Sequence, residues 1–542
     1  MRLRFLIIAL PLCANPAFAQ TVRDAGRIAG DIAQEPQRAA GTAKEIAQEI
    51  NAPVVAPAAA NVSLSDGLMI GAVIVEGAPS VPREAFAPSI ADFLGKQASI
   101  QDLQALAQAV ASVARKRGFV FATASVPPQT VDAGMVTVRI DEGDIAQVRV
   151  VGSRSERLQR TLDPIVGQGV RRSTLERQLL LAGDLPGIEV VSTKLVREDV
   201  GNVLVVQVRE TRGEGAVGVD TYGSRDLGPL RARLRYEFAG LASDGDVLAV
   251  QAITTPANPG QLAFLSARYA MNVGTGGTQI AVSGAVGRAA PSNSGSKSKS
   301  TFVSVSVSTP LVRTNRASVW MNGEIGLQRV MGNVNGIADL RDSTVTATAW
   351  LYGTTRITNG RLSGGLGVVR GLPVWGATEL GDPFASRRDG SAEFTKGFFW
   401  ADWVQPLGSG FSVKIAANGQ LADRPLLATQ EIGIGGSSFG RAFDFWERFG
   451  DNGIMASGEL RWRSKPVDWI DWVEPFAVFD GGRVWNLRNG FGGGELNSTG
   501  GGIRAAFGKL QFSVEAAVPL NTARIATGNR TPRVNVSIER RF

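Results

Sequence analysis

The sequence predicts a membrane all-β barrel of about 16 antiparallel strands, preceded by two small α+β domains and an N-terminal helix. Three observations lead to this fold class. From about residue 213 to the end, apolar and polar residues alternate with a period of two, as in β-strands. No segment approaches the roughly twenty apolar residues of a membrane helix, and lipid then requires a closed sheet. Before residue 213, two segments repeat one order of strand and helix patterns.

The composition excludes several classes of chemistry. The 542 residues include no His and a single cysteine, Cys13, in a segment that we expect to be removed. The usual zinc, haem, Cys-nucleophile and Ser-His sites are therefore excluded, although carboxylate-based or lysine-based sites stay open. We expect no enzyme activity, no cofactor and no metal site. The net charge of +8, or +6 without Arg2 and Arg4, gives no argument for nucleic acid.

The first 19 residues have the pattern of a signal peptide. A basic start is followed by an apolar run over residues 5–12 and a small-x-small site at residues 17–19. The apolar run is too short to span a bilayer. The bulky Leu12 directly before Cys13 argues against lipoprotein processing. The mature chain is therefore expected in a bacterial envelope.

Residues 20–51 predict an amphipathic helix. Apolar residues recur there at steps of three and four, interrupted around Pro36. One interpretation is a plug helix that occupies a polar pore, and the other is a weakly packed or partly disordered helix. Residues 52–66 form a Pro/Ala-rich linker that should be extended.

Two α+β units follow, at residues 67–143 and 144–211, each read as strand, helix, helix, strand, strand. In the first unit, Ser99 is expected to cap a helix that Gly118 ends. In the second, Ser-Thr-Leu-Glu at residues 173–176 predicts a capping box that opens a helix. Two similar units of this length indicate a tandem repeat.

Residues 212–542 are expected to form the barrel. Arg231, Arg233 and Arg235 alternate with apolar residues, and valines alternate with serines over residues 303–308. On one strand alone, such charges would indicate only a solvated sheet face. Because the pattern repeats over several strands, it favours a lipid-facing apolar surface and a wet interior.

Residues 431–444, which read EIGIGGSSFGRAFD, interrupt the strand pattern. Paired glycines, a Ser-Ser step and an aromatic-acid pair make a poor strand and a worse helix. We interpret the segment as part of a structured loop, about residues 423–452, that folds back into the barrel. Asp480, on the strand after next, is the expected partner of the loop's arginine.

Together these parts resemble the outer-membrane transporters of two-partner secretion, the haemolysin and filamentous-haemagglutinin exporter family. The resemblance covers nearly the whole mature chain. Residues 118–129 and 134–143 resemble the family's first polypeptide-transport-associated (POTRA) domain, and Leu-Pro-Gly at residues 185–187 resembles the break in the second. The POTRA motif residues are Pro127, Pro128, Gln129, Glu142 and Gly143. The terminal Phe542 resembles the insertion signal of outer-membrane barrels.

The loop departs partly from the family's pattern, which is commonly Val-Arg-Gly-aromatic. This chain has Gly440-Arg441-Ala442-Phe443, so the arginine and the aromatic residue match while their small neighbours are rearranged. The loop motif comprises Gly435, Gly436, Gly440, Phe443 and Asp444. The resemblance implies that Arg441 reaches Asp480 on the inner wall and holds the loop there. The alternative is that Arg441 is a solvated loop charge and Asp480 one of many acids in the channel.

The resemblance also implies a function. The chain would lie in the bacterial outer membrane, surrounded by outer-membrane lipid, with its POTRA domains in the periplasm. It would export a large unfolded haemolysin or adhesin that carries an N-terminal secretion domain, and barrel-assembly machinery would insert it. The sequence contains no GxxxxGK[ST] motif, so we expect export without ATP. The alternatives are a barrel-assembly factor of the same superfamily, a diffusion porin and a soluble envelope enzyme.

Overall fold

A computed structural model describes residues 69–542 except 98, 130–133, 168, 293–294 and 489. The predicted signal peptide (1–19), plug helix (20–51) and linker (52–66) lie outside the described residues. Within the described part of the chain, no helix has the length and hydropathy needed to cross a membrane.

The first α+β unit is a three-stranded sheet packed on helices. Its elements are β1 (Ala72–Glu76), a 3-10 helix (Arg83–Phe86), helices Ala87–Ala91 and Ile100–Lys116, β2 (Thr123–Ser125) and β3 (Met135–Asp141). The sheet order is β1-β3-β2, with β1 and β3 parallel. As predicted, Ser99 caps the long helix: its hydroxyl accepts a hydrogen bond from the Asp102 amide at 3.1 Å. The hydrogen bond from the Ser99 hydroxyl also lowers the pKa of Asp102 below its ordinary value.

The second unit repeats the plan. Its elements are β4 (Gln147–Val151), helix Glu156–Leu162, a 3-10 helix (Asp163–Ile165), helix Arg172–Gly183, β5 (Ile188–Glu198) and β6 (Gly201–Glu210). The sheet order is β4-β6-β5, again with the central strand parallel to the first. Leu158, Leu162, Leu175 and Val206 are fully buried in its core. The repeated strand and helix order predicted from the sequence is therefore present.

The capping box predicted at residues 173–176 is wrong. The helix has Arg171 as its N-cap residue, without a side-chain cap. Arg172 donates its amide to the carbonyl of Gly118 in the first unit, at 2.7 Å, so the other unit supplies the acceptor and the helix starts earlier. Glu176 instead accepts a hydrogen bond from the amide of Asn315 in the barrel.

A closed barrel of 16 antiparallel strands follows, which confirms the predicted fold class. The strands from residue 213 onward are β7 (Gly213–Asp220), β8 (Arg231–Ala239), β9 (Asp246–Thr254), β10 (Leu262–Val273), β11 (Thr278–Ala289), β12 (Ser296–Arg313), β13 (Ala317–Val334), β14 (Ile337–Ile357), β15 (Gly360–Leu372), β16 (Thr395–Gly408), β17 (Phe411–Ala422), β18 (Ile432–Ile434), β19 (Arg448–Gly450), β20 (Asn452–Trp462), β21 (Trp472–Trp485), β22 (Gly494–Phe507), β23 (Leu510–Pro519) and β24 (Arg533–Arg541). All of these belong to the barrel except β18 and β19, which form a separate hairpin. Strand β24 pairs with β7 and closes the sheet.

The two faces of the barrel follow the alternation in the sequence. Val303, Val305 and Val307 are 48%, 54% and 45% exposed on the outside, whereas Ser304 is buried inside. Arg231 and Arg233 point inward, and their guanidinium groups lie 2.9 and 3.0 Å from the carboxylate of Asp220. These arginines therefore belong to a charged interior and not to an isolated solvated sheet face.

The chain terminus lies at the closing seam. Phe542 exchanges two backbone hydrogen bonds with Gly215, at 2.9 and 3.1 Å. A Cβ atom at Gly215 would lie 2.5 Å from the Phe542 ring, so a larger residue there would displace the ring. The ring is 49% exposed on the outer surface, near Tyr236. Its role as an insertion signal stays a prediction.

The second α+β unit is joined to turns at one end of the barrel. The buried guanidinium of Arg313, at the end of β12, makes two hydrogen bonds of 2.7 Å to the carboxylate of Asp184. Arg157 donates to the carbonyls of Asp244 and Gly274 in two other turns, at 2.8 and 3.0 Å. Since the chain enters the barrel beside these turns, this end is the one that faces the α+β units.

We predict that Asp184→Ala weakens this junction by about 3 kcal/mol, the low end for a broken buried ion pair, because Arg313 loses its carboxylate. Hydrogen–deuterium exchange of the full chain in detergent should then accelerate in helix Arg172–Gly183. The control is Asp199→Ala, an exposed acid in a turn of the same unit. Equal exchange in both variants would show that the ion pair does not hold the junction.

Candidate functional site

The segment between β17 and β20 turns back into the barrel. It contains a 3-10 helix (Ala428–Gln430) and the hairpin of β18 and β19, with Ile432 paired to Gly450 and Ile434 to Arg448. The sequence predicts a structured loop and a poor strand over residues 431–444, and the second part is wrong at Ile432–Ile434, which form the short strand β18. We call residues 423–451 the inward loop.

Glycines set the backbone path of the inward loop. Gly435, Gly436 and Gly440 have φ angles of 120°, 107° and 73°, which side-chain-bearing residues rarely adopt. A Cβ atom at Gly435 would also lie 2.1 Å from the carbonyl oxygen of Asp444. The loop therefore needs glycine at Gly435 both for its dihedral angles and for space.

Arg441 lies within an acidic group on the inner wall. Its guanidinium nitrogens are 3.0 Å from Glu459 on β20, 3.4 Å from Asp480 on β21 and 3.4 Å from Glu515 on β23. The Arg441 side chain is 11% exposed, and those of the acids are 1–5% exposed. The structure thus brings Arg441 and Asp480 together, but it places two further carboxylates at the same cation.

The carboxylate of Asp480 holds the inward loop mainly by accepting hydrogen bonds from the loop's backbone amides. One carboxylate oxygen accepts the amides of Gly440 at 3.0 Å and Arg441 at 3.3 Å, together with the hydroxyl of Ser498. The other oxygen forms the ion pair with Arg441 Nε without hydrogen-bond geometry. Hydrogen bonds to an ionised carboxylate are stronger than neutral ones, so Asp480 fixes the direction of the loop as well as its charge.

Further arginines balance the acidic group. Arg504 makes hydrogen bonds of 2.6 and 3.0 Å to the Glu459 carboxylate, and Arg461 is also paired with Glu459. The guanidinium of Arg504 lies 3.8 Å from the centre of the Phe476 ring. Removing Arg441 would consequently leave Glu459 with cationic partners, while Asp480 would lose its ion-pair partner.

A second attachment of the inward loop has the opposite polarity. The Asp444 carboxylate lies 2.7 Å from Arg533 on β24 and 3.6 Å from Arg524. Arg533 also donates to the carbonyls of Phe443 at 2.5 Å and of Gly223 at 3.0 Å. The loop's cation, Arg441, therefore pairs with acids on β20, β21 and β23. Its anion, Asp444, pairs with an arginine on the last strand.

Apolar packing lies between these two attachments. Phe443 is fully buried and packs in a cluster with Ile434, Ala442, Met455, Val484, Leu496 and Ala517. Met455 and Val484 belong to barrel strands but are buried with the loop. The interior is thus apolar where the loop packs, which differs from the uniformly polar inner face that alternation predicts.

The base of the inward loop is fastened at the outer end of the barrel. The Asp451 carboxylate accepts hydrogen bonds of 2.7 Å from Arg387 and from the amides of Leu426 and Leu487. Lys396 on β16 donates to the carbonyl of Gln430, also at 2.7 Å. Arg387 and Leu487 lie in the segments after β15 and β21. Asp451 therefore joins the end of the inward loop to two neighbouring loops and to its own beginning at Leu426.

Gln129, Glu142 and Gly143 of the POTRA motif make hydrogen bonds and close packing contacts within the first unit. The Gln129 side chain, which follows Pro127 and Pro128, bonds both the amide and the carbonyl of Thr137, at 2.9 and 2.8 Å. Glu142 is buried and accepts the Ser80 amide at 2.7 Å. Gly143 has a φ of 86°, and a Cβ atom there would lie 2.5 Å from that of Phe121.

Sequence reasoning missed Glu459, Glu515, Arg524 and Arg533 as partners of the loop. The alternation does place Glu459 and Glu515 on the inner face, but a pattern along one strand carries no information about which loop residue reaches it. Among the described residues, no group of His, Cys, Asp or Glu is arranged to hold a metal ion.

We predict that Arg441→Ala frees the inward loop more than Asp480→Asn does. The side-chain oxygen that remains after Asp480→Asn could still accept the two loop amides, whereas Arg441→Ala leaves three acids near a neutral loop. Amide exchange at residues 435–447, measured on the folded protein, should rise about a hundredfold for Arg441→Ala and about tenfold for Asp480→Asn. Arg424→Ala, a 43% exposed arginine in the same loop, is the control. The reverse order would contradict the shared-cation arrangement.

Comparisons with known proteins agree with this architecture. The family model described as "Haemolysin secretion/activation protein ShlB/FhaC/HecB" matches residues 201–505, and that for the ShlB-type POTRA domain matches residues 68–143. The heme/hemopexin transporter protein HuxB of Haemophilus influenzae (strain 86-028NP) is 23% identical over 183 residues, 32% of each chain, so the match spans only about a third of that relative. The outer membrane transporter CdiB of Dickeya dadantii (strain 3937) is 23% identical over 427 residues, 73% of each chain.

Solved structures share the fold. CdiB from Escherichia coli is 17% identical and superposes with a TM-score of 0.74 over 98% of this chain and 100% of that one. BamA from Haemophilus ducreyi lacking POTRA domains 1–3 is 13% identical, with a TM-score of 0.52 over 88% of this chain and 100% of the other. The barrel lies in the outer membrane, with the POTRA domains on the periplasmic side, and the chain belongs to the ShlB/FhaC/HecB family of haemolysin secretion/activation proteins.

Proposed function

We propose that this chain is the outer-membrane pore of a two-partner secretion system. It exports a large unfolded protein of the haemolysin or adhesin type, which carries an N-terminal secretion domain, from the periplasm to the cell surface. Activation of that partner during passage belongs to the same proposal. The chain acts by transport and not as an enzyme, and barrel-assembly machinery inserts it into the membrane.

The observation that carries the proposal is the inward loop, held inside a 16-strand barrel by two ionic attachments of opposite sign. Barrels of this strand number enclose an aqueous channel. Buried ion pairs add little net stability but select one geometry among several. A segment that occupies the channel through such contacts can be released without unfolding the barrel, as passage of a polypeptide requires.

The periplasmic units offer a site for capturing the client. The sheet order β4-β6-β5 leaves the 11-residue strand β5 at an edge, and Val191 on that strand is 38% exposed. An unfolded chain can pair its backbone with such an edge and place alternate side chains on the sheet. This edge would hold an extended client segment before it enters the channel.

The energy for transport would come from the client. The sequence has no GxxxxGK[ST] motif, and the proposed location offers no ATP. Folding of the client outside the cell, which prevents its return, would supply the direction. The attachments of the inward loop would hold it in the one geometry that export uses until an entering client chain displaces them.

We expect Arg441→Ala to lower secretion sharply, because the inward loop loses its shared cation. The assay co-expresses this chain with the neighbouring large open reading frame and measures that product in the medium. The variant should remain in the outer membrane at normal abundance and migrate differently in heated and unheated samples on a detergent gel. Arg424→Ala, in the same loop, should secrete normally. Normal secretion by Arg441→Ala at normal abundance would rule out the holding role of Arg441.

The alternative function is that of a barrel-assembly or translocation-assembly factor. The fold shared with BamA is the observation that supports this alternative. Deleting the gene separates the two. Loss of one large secreted protein, with other outer-membrane barrels unchanged in amount, supports export. A general fall in outer-membrane barrels, with secretion of the neighbouring gene's product unchanged, supports assembly.

A further inference from the structure

Five cations lie on the outside of the barrel at its outer end, away from the channel. They are Arg288 on β11, Lys297 and Lys299 on β12, Arg329 on β13 and Arg341 on β14, and all five are exposed. We call them the outer cationic row. Arg288 is next to the last residue of the 12-residue strand β11, whereas β12, β13 and β14 are 18, 18 and 21 residues long.

The strand register brings the five side chains together. Arg288 pairs with Lys299, Lys299 with Met331, and Met331 with Arg341. Neighbouring strands lie about 4.8 Å apart, so the row crosses about 14 Å of the barrel surface. Lys297 is two residues from Lys299 on the same face of β12, and Arg329 is two residues from Met331 on the same face of β13. The cations therefore form one compact surface and not a scatter of single charges.

The charge of the row is not balanced within the chain. Among the described residues, no carboxylate forms an ion pair with any of the five side chains. By contrast Arg370, the outward cation on the next strand, lies 3.0 Å from the carboxylate of Glu393. The row therefore favours an anion from outside the chain.

The outward face directly below the row is apolar. Val286 on β11, Val303 on β12 and Ile325 on β13 are 53%, 48% and 54% exposed. Lys299 and Val303 share one face of β12 and are four residues apart, a distance of about 13 Å. The cations thus lie where the lipid-facing band ends, at the height of the headgroups of the outer leaflet.

Exposed apolar side chains border the row. The segment after β15 runs beside the upper part of β14, where the Arg341 amide donates to the Phe384 carbonyl at 2.7 Å. Arg329 donates to the carbonyl of Trp375 at 3.5 Å. Trp375 is 68% exposed and Phe384 is 41% exposed. Aromatic residues at this height typically lie at a membrane interface.

We propose that the outer cationic row binds the phosphate-bearing headgroup of an outer-leaflet lipid. Arginine and lysine donate charge-assisted hydrogen bonds to phosphate oxygens, and the row can reach two phosphates on one headgroup because it crosses four strands. The acyl chains lie on the apolar face below, against Val286, Val303 and Ile325. The site depends on the barrel and its place in the membrane, and it does not depend on export.

The test compares lipid retention by the full chain in detergent, measured by native mass spectrometry after addition of diphosphoryl lipid A. The test variant combines Arg288→Gln, Lys297→Gln, Lys299→Gln and Arg341→Gln. The control combines Arg83→Gln, Lys96→Gln, Lys116→Gln and Arg117→Gln, which removes the same charges from exposed positions of the first α+β unit. We expect the test variant to retain about tenfold less lipid than the control and the unaltered protein.

Three outcomes would overturn the proposal. They are equal retention by the test variant and the control, equal retention of lipid A that lacks both phosphates, and displacement of lipid A by millimolar inorganic phosphate alone, which would indicate a simple anion site. Heat-modifiable migration on a detergent gel verifies folding. If the four-residue variant does not fold, Lys297→Gln with Lys299→Gln, both at exposed positions, tests the same site.

Discussion

The structure depends on closing one sheet upon itself. A strand edge in lipid would leave its amides and carbonyls without partners, at a cost of several kcal/mol for each group. The seam between β7 and β24 removes that edge through the register from Ser537–Asp220 to Arg541–Ala216, continued by the exchange between Phe542 and Gly215. Fewer residues pair at this seam than between most neighbouring strands, so a short stretch of backbone pairing closes a large barrel.

Closure is also what assembles the site around the inward loop. Glu459, Asp480 and Glu515 come from β20, β21 and β23, and they face one point of the channel only because the sheet curves. Arg533 reaches Asp444 from the last strand and also bonds Gly223, which follows the first strand. The loop therefore contacts the wall, and through Arg533 it is joined to both sides of the closing seam. Its position and the closure of the barrel are physically linked.

The outside of the barrel carries an apolar band and, beyond it, a row of cations. The same alternation that places serines and acids inside places valines outside, and it continues beyond the apolar band into the outer cationic row. On the periplasmic end, Arg313 and Asp184 join the second α+β unit to the turn after β12. Strand β12 thus contacts the periplasmic unit at one end and carries exposed lysines at the other.

The sequence by itself determined the fold class, the phase of the inner and outer faces and the Ser99 helix cap, because each follows from residues close together in the chain. The missing His and the single Cys also bounded the chemistry without any structure. The sequence pointed to Arg441, but it did not reveal that three acids share this arginine. It also did not reveal the Arg533–Asp444 ion pair or the apolar cluster around Phe443. It also misplaced the start of helix Arg172–Gly183, where the acceptor for the Arg172 amide comes from the other unit. These features join residues that are tens of residues apart or more, and only strand register, closure and domain packing decide which of them meet.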